Sequence, residues 1–255
     1  MKLHLHQFLR NTGLFRNKQE LIEAVESKKI RIDGQIISNP MYRFNPKKRK
    51  VFFNNKELEL IDENIYILMN KPEGYLSTKL TELDKKLGKK SVFELLENDN
   101  NIKENIKHAL ICVGRLDEDT SGLLILTNDG KLGARITNPK HTIKKAYLVV
   151  LEKPITDEQI SAIQKGVVID VEVDGKDTKY RTRESTIKVK STIEAEITIT
   201  EGKKREIRKM FEAVGNNVKT LERVSIGSIH LKNLNVEKGS YISVDKKFIE
   251  ERLKS

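Results

Sequence analysis

Apolar and polar positions alternate in a way that divides the chain near residue 60. Ahead of that point Leu3, Leu5, Phe8 and Leu9 recur at helical spacing, and after Asn11-Thr12-Gly13 a second helical pattern puts Leu21, Ile22 and Val25 on one face. The run Ile30-Arg31-Ile32-Asp33-Gly34-Gln35-Ile36-Ile37 flanks an Asp-Gly pair with apolar residues, which predicts a tight hairpin. After Asp62-Glu63-Asn64, the stretch Ile65-Tyr66-Ile67-Leu68-Met69 starts a strand that Pro72 and Gly74 break into a turn. Residues 76–109 read as a variable segment with a short helix at 91–96 and no evident chemistry.

The next stretch, residues 114–130, organises the remainder. Leu123-Leu124-Ile125-Leu126 is a short apolar run closed by Thr127-Asn128-Asp129-Gly130, so it predicts a buried strand ending at the surface. Directly before it stand Arg115, Asp117, Glu118, Asp119, Thr120 and Ser121, between Gly114 and Gly122, which permit close backbone approach or unusual φ/ψ. A polar loop pinned to a rigid strand can hold a reactive carboxylate in place, and it fits equally well an acidic surface turn. Further on, Lys131–Arg135 predicts a short helix, 144–151 a strand containing Tyr147, and Thr156-Asp157-Glu158 a capped helix ending near Gly166. Residues 167–200 alternate as strands. Residues 201–215 predict one helix, basic in its first half, with Ile207, Met210, Phe211 and Val214 buried and Arg208 beside that face.

Charge sharpens this division. The chain of 255 residues has a net charge of +11. Residues 1–60 hold 13 Lys and Arg against 6 Asp and Glu, a net +7, which leaves +4 for the other 195. A polyanionic partner is implied, and with no long apolar run, signal peptide or lipidation motif a nucleic acid is favoured over a membrane. Arg10, Arg16, Lys18, Lys28, Lys29 and Arg31 cluster near the helices and hairpin as candidate phosphate contacts. The run Lys47-Lys48-Arg49-Lys50 is equally well a solvated turn. One cysteine, Cys112, excludes an intrachain disulfide, fits a reducing cytoplasm, and sits between apolar neighbours as a strand residue. His4 and His6 lack further ligands at metal spacing, so no metal site is expected.

The run Gly-Arg-Leu-Asp-x-Asp-Thr-Ser-Gly-Leu-Leu-x-Leu-Thr-Asn-Asp-Gly at 114–130 resembles the signature of bacterial ribosomal RNA pseudouridine synthases of the Rsu family. Lys71-Pro72-Glu73-Gly74 is similar to that family's first motif, and the stretch from Leu5 to Asn39 is similar to the RNA-binding module of small-subunit ribosomal protein four. The resemblance implies an α+β protein. It would have an RNA-binding module at 1–60 and a catalytic domain at 61–255, built on a mixed, mostly antiparallel sheet flanked by helices. It implies isomerisation of uridine in ribosomal RNA, small-subunit rather than large-subunit, by a cytoplasmic monomer without a cofactor. A non-catalytic ribosome-assembly factor is the contrasting reading, against which the intact Arg115-Leu116-Asp117, Tyr147 and Arg208 set argues.

The family pattern makes Asp117 the catalytic carboxylate and Tyr147 the residue against the target base. It makes Arg208 the cation paired with Asp117, and adds Arg115, Lys71 and Leu231 to the substrate site. Such chemistry needs one carboxylate beneath the sugar, where a glycosidase uses two. Glu206 stands where the family often has Gln. The target base must be flipped out or single-stranded, so Arg115 is expected to occupy the space it leaves.

Overall fold

The computed structural model describes residues 2–173 and 175–253. Its N-terminal part has helices Leu5–Asn11 and Lys18–Glu26 packed on a small sheet that includes the hairpin Ile30–Ile32 and Gln35–Ile36. Asp33 and Gly34 both take positive φ, 47° and 83°, as a two-residue turn matched to strand twist requires. Leu5, Phe8, Leu9, Leu21, Val25, Ile30 and Ile32 gather in a core of their own.

The rest is built on a nine-stranded sheet. Its main path runs Thr186–Val189, Glu194–Ile199, Lys145–Leu151, Val218–Ile226, Ser121–Thr127, Tyr66–Lys71 and Tyr241–Val244. Both faces are covered, which is why the central strands read as unbroken apolar runs. Leu124 and Leu126 point into one core with Ile67 and Met69, beneath helices Asp157–Gln164 and Glu206–Ala213. Leu123 and Ile125 enter the opposite core with Tyr66 and Leu68, closed by helices Gly130–Thr137 and Lys246–Arg252.

One strand changes partners midway. Ser121 and Gly122 pair in parallel with Glu222 and Arg223, whereas Ile125–Thr127 pair antiparallel with Ile111–Val113. Every other strand contact in this sheet is antiparallel. The fork between the two partners leaves Leu123 without a strand neighbour on that side, and its carbonyl instead accepts from Arg223 Nε at 2.7 Å. Gly122 (φ 103°) allows the approach, since a Cβ there would meet the Arg223 carbonyl at 2.4 Å.

Three sequence expectations change. The helix expected at 201–215 starts only at Glu206, because Arg205 takes a left-handed conformation (φ 54°) and residues 201–205 form a turn. The helix expected at 91–96 is a single 3-10 turn at Glu94–Leu96 behind a two-residue strand. The segment 76–109 also carries helices Glu82–Lys86 and Glu104–Ala109, which lack a long apolar stripe.

Candidate active site

A cavity of about 330 Å³ opens at the fork. Asp117, Tyr147, Arg115 and Arg223 line it, and Arg183, Lys203, Lys204 and Arg205 stand around it. Asp117 belongs to the loop entering the strand at Ser121, and that loop is held through its backbone. Five successive carbonyls each accept a bond from elsewhere in the chain. Leu116 O takes the Ser77 hydroxyl at 2.8 Å, Asp117 O and Thr120 O take Lys71 Nζ at 3.1 and 2.7 Å, Glu118 O takes Gly74 N–H at 2.8 Å, and Asp119 O takes Arg208 Nη2 at 2.8 Å. Buried carbonyls left unmatched would be costly, so this pattern defines the loop's path.

The Asp117 carboxylate itself is half-buried and free. Among the described residues it has neither a hydrogen-bond donor nor a basic side chain at ion-pair distance. The pairing of Arg208 with Asp117 expected from the family is therefore replaced. Arg208 donates to Val218 O at 2.9 Å and to Asp119 O, and its Nη2 lies 3.3 Å from the Asp119 carboxylate. Arg205 adds two bonds to the same carboxylate, at 3.3 and 3.1 Å. Burial acts to raise the Asp119 carboxyl, but the Arg205 hydrogen bond and the two guanidinium charges outweigh it and hold it below its ordinary value. The side chain on the far side of Glu118 from Asp117 is thus the one clamped to the helix.

The other expected site residues divide. Tyr147 is 7% exposed in the cavity wall, and Arg115 is solvent-facing at its edge. Lys71 does not reach the cavity. It is fully buried, caged by carbonyls of Pro72, Asp117, Glu118 and Thr120, and burial pulls its ammonium down to about 8. Lys71 thus positions the loop. Leu231 lies in the second core with Ile226 and Ile229 and is absent from the cavity lining, because the chain turns into a 3-10 helix there.

Among the basic residues of the N-terminal part, Arg16, Lys18, Lys28, Lys29 and Arg31 are exposed. Arg10 is drawn into the junction with the larger part. Its guanidinium lies near Gly130, burial lowers its pKa, and it bonds Asn11 at 3.2 and 3.3 Å. Lys79 Nζ crosses the same junction to Arg16 O at 2.9 Å, and Gly13 O meets His108 Nδ1 at 3.0 Å.

Sequence patterns passed over Arg223. It is 2% exposed, its Nε is committed to Leu123 O, and its buried Nη2 has no partner among the described residues. It sits opposite Tyr147 across the strand pair. Alternation puts it on the inward side with Leu221 and Ser225, where an apolar residue would be expected, and the fork supplies the carbonyl that its guanidinium bonds. Cys112 lies in the strand Ile111–Val113, where burial pushes its thiol up to about 12, so it is unreactive.

An unpaired carboxylate on a rigid loop, in a nucleotide-sized cavity with basic residues at its mouth, is the site of an enzyme acting on a polyanion. Residues 65–213 match RNA pseudouridylate synthase, and the chain belongs to that family. It is 33% identical over 217 residues to the ribosomal small subunit pseudouridine synthase A of Salmonella typhimurium, covering 85% of this chain and 86% of that protein. The Haemophilus influenzae protein of the same name is 28% identical over 253 residues, covering 99% and 100%. An uncharacterized RNA pseudouridine synthase of Bacillus subtilis, YtzG, is 32% identical over 233 residues, covering 90% of each. A solved pseudouridylate synthase structure superposes with a TM-score of 0.66 at 28% identity, covering 98% of this chain and 99% of that one.

Proposed function

We propose that the protein isomerises a uridine of small-subunit ribosomal RNA to pseudouridine, with Asp117 as the catalytic carboxylate. The observation that carries this is the Asp117 side chain, donor-free in the cavity while its backbone and its neighbours' are fixed. The small-subunit target is supported by the printed names of relatives in Salmonella typhimurium and Haemophilus influenzae.

In this reading a flipped uridine enters beside Tyr147, whose ring stacks on the base, while Arg115 at the edge fills the vacated stack. Asp117 acts at the sugar to release the N1–C1′ bond. The base rotates within the cavity, C5 bonds to C1′, C5 loses its proton and N1 gains one, so nothing is consumed. The cavity wall excludes the water that would turn the reaction into hydrolysis. The exposed cations Arg16, Lys18, Lys28, Lys29 and Arg31 make the N-terminal part, a module of the ribosomal protein four type, the capture surface for RNA phosphate. The protein works as a cytoplasmic monomer, and no helix among the described residues is long and apolar enough to cross a membrane.

Mapping pseudouridine by carbodiimide labelling and primer extension in both ribosomal RNAs, with and without the protein, tests this reading. A new stop in small-subunit RNA is expected. A stop in large-subunit RNA alone would overturn the target, and no stop in either would overturn the activity.

A further inference from the structure

Behind the turn 201–205 two carboxyl groups share one buried place. Glu201 and Glu206 are 8% and 4% exposed, both line the cavity, and each carboxyl feels the other as a neighbour. Glu201 takes nearly every donor there. Its Oε1 accepts from Arg183 N–H at 2.7 Å, its Oε2 from the Tyr180 hydroxyl at 2.5 Å, and the Arg183 guanidinium lies 3.8 Å from Oε2. Glu206 has one donor, the Lys203 N–H at 2.7 Å on Oε2, and its buried Oε1 has none among the described residues. Two ionised carboxylates repel at contact, and no hydrogen bond joins them unless one carries a proton. Donors gathered on Glu201 favour its ionised form, so the shared proton belongs on Glu206.

We propose that Glu206 is a neutral carboxylic acid that donates to Glu201 and thereby positions Lys203 and Lys204 to receive RNA phosphate at the mouth of the cavity. The proposal rests on RNA being the substrate. Its structural logic is that Glu206 closes the turn through its side chain, beside one backbone bond from Glu206 N–H to Lys203 O at 3.2 Å. Arg205 is left-handed and gives the following helix no side-chain cap, so the bond from Lys203 N–H to the Glu206 carboxyl, at 2.7 Å, is the shorter of the two bonds that close the turn across it. When Glu206 ionises, repulsion from Glu201 drives its carboxyl out and the turn loses the side-chain half of that closure.

Lys203, through its N–H and its charge, favours an ionised Glu206, and burial with the Glu201 carboxyl outweighs it. Burial and then the Glu201 carboxyl push Glu206 well above the ordinary carboxylate range. For Glu201, burial is opposed and outweighed by hydrogen bonds from Glu206, Tyr180 and Arg183 N–H, which hold it below that range. Lys145, from the neighbouring strand, bonds the Glu201 carbonyl at 3.3 Å and senses both carboxyls, while Lys203 stacks over the Tyr180 ring at 4.4 Å.

Two variants separate the proton from the shape. Glu206→Gln keeps a neutral donor of nearly the same form, and Glu206→Ala is neutral with no donor. RNA affinity is measured for wild type and both variants from neutral to alkaline pH. Wild-type affinity should fall about tenfold across that range, the scale of one charge-assisted hydrogen bond. The Gln variant should keep wild-type affinity at neutral pH and hold it on the alkaline side, and the Ala variant should be weak throughout. Parallel loss in wild type and Gln variant, or an Ala variant as tight as the Gln one, would overturn the proposal. An infrared difference spectrum, wild type minus Glu206→Gln at neutral pH, should show one carboxylic-acid C=O band that disappears on alkalinisation. Its absence would overturn the neutral-acid assignment even if the protein modifies RNA, whereas failure to modify RNA with the band present would count against the function alone.

Discussion

The Asp117 loop and the 201–205 turn face the same cavity and are secured in opposite ways. Five consecutive loop carbonyls are bonded by four residues from two distant parts of the chain, Lys71, Gly74 and Ser77 in one and Arg208 in the other. The turn is backed by two carboxyls that compete for one proton, and its basic side chains are exposed. Chemistry at a sugar carbon needs a carboxylate placed to a fraction of an ångström, which is why every carbonyl of its loop is bonded. Gripping phosphate tolerates movement, so a turn with one titratable brace suffices.

The sharpest way to break the loop is Lys71→Met. It leaves the Asp117 and Thr120 carbonyls without their ammonium in a fully buried place, so a loss of about 3 kcal/mol or more and complete loss of turnover are expected. Denaturant unfolding and single-turnover assays check this, and an active, equally stable variant would show that the loop holds without Lys71.

Next in size is Arg208→Lys. The charge stays but a planar fork that bonds Val218 O and Asp119 O together is lost, so turnover should fall on the order of 10–1000-fold with RNA affinity nearly unchanged. Loss of affinity instead of rate would make Arg208 a phosphate contact.

A pH series sharpens the contrast. Lys71 ionises near 8 in the folded chain against its ordinary 10.5, so as pH rises past about 8 one ammonium donor is lost and turnover should decline. The sign for stability is the reverse. Between those values the unfolded chain binds more proton than the folded one, so Lys71 alone makes stability rise with pH, and the alkaline loss is one of rate. The turn, by contrast, should lose affinity. Rate and affinity falling together in the Glu206→Gln variant would erase the distinction.

The smallest effect is expected farthest from the cavity. Replacing Lys28, Lys29 and Arg31 by Gln should leave turnover at saturating RNA intact and reduce the slope of log affinity against log salt by about 2, at roughly 0.7 per phosphate contact. An unchanged slope would remove the N-terminal part from RNA capture.

What the sequence disclosed follows the same contrast between local and distant causes. The strand Ser121–Thr127 was legible because both its faces are buried, and the Asp33-Gly34 hairpin because its turn demands positive φ. The start of the last basic helix was not, since a left-handed Arg205 has no signature in residue type. Arg208 reaches Asp119 rather than Asp117 through a contact between residues 89 apart, which no local pattern encodes. Ser77 and Lys89, in a segment that reads as featureless, hold Leu116 and Glu118 from outside. Arg223 shares the inward side of its strand with Leu221 and Ser225, but its partner, the Leu123 carbonyl, is open to it only because the strand beside it changes partners.

The central claim is that one carboxylate, Asp117, does the chemistry while everything around it positions or binds. Asp117→Asn keeps size and backbone bonds and removes only the charge, so it tests the claim most directly. Single-turnover pseudouridine formation and RNA affinity are measured on the purified variant with small-subunit ribosomal RNA. The account predicts affinity within about threefold of wild type and no detectable pseudouridine, as expected when an interaction made only in the transition state is removed. Measurable pseudouridine from this variant would contradict it.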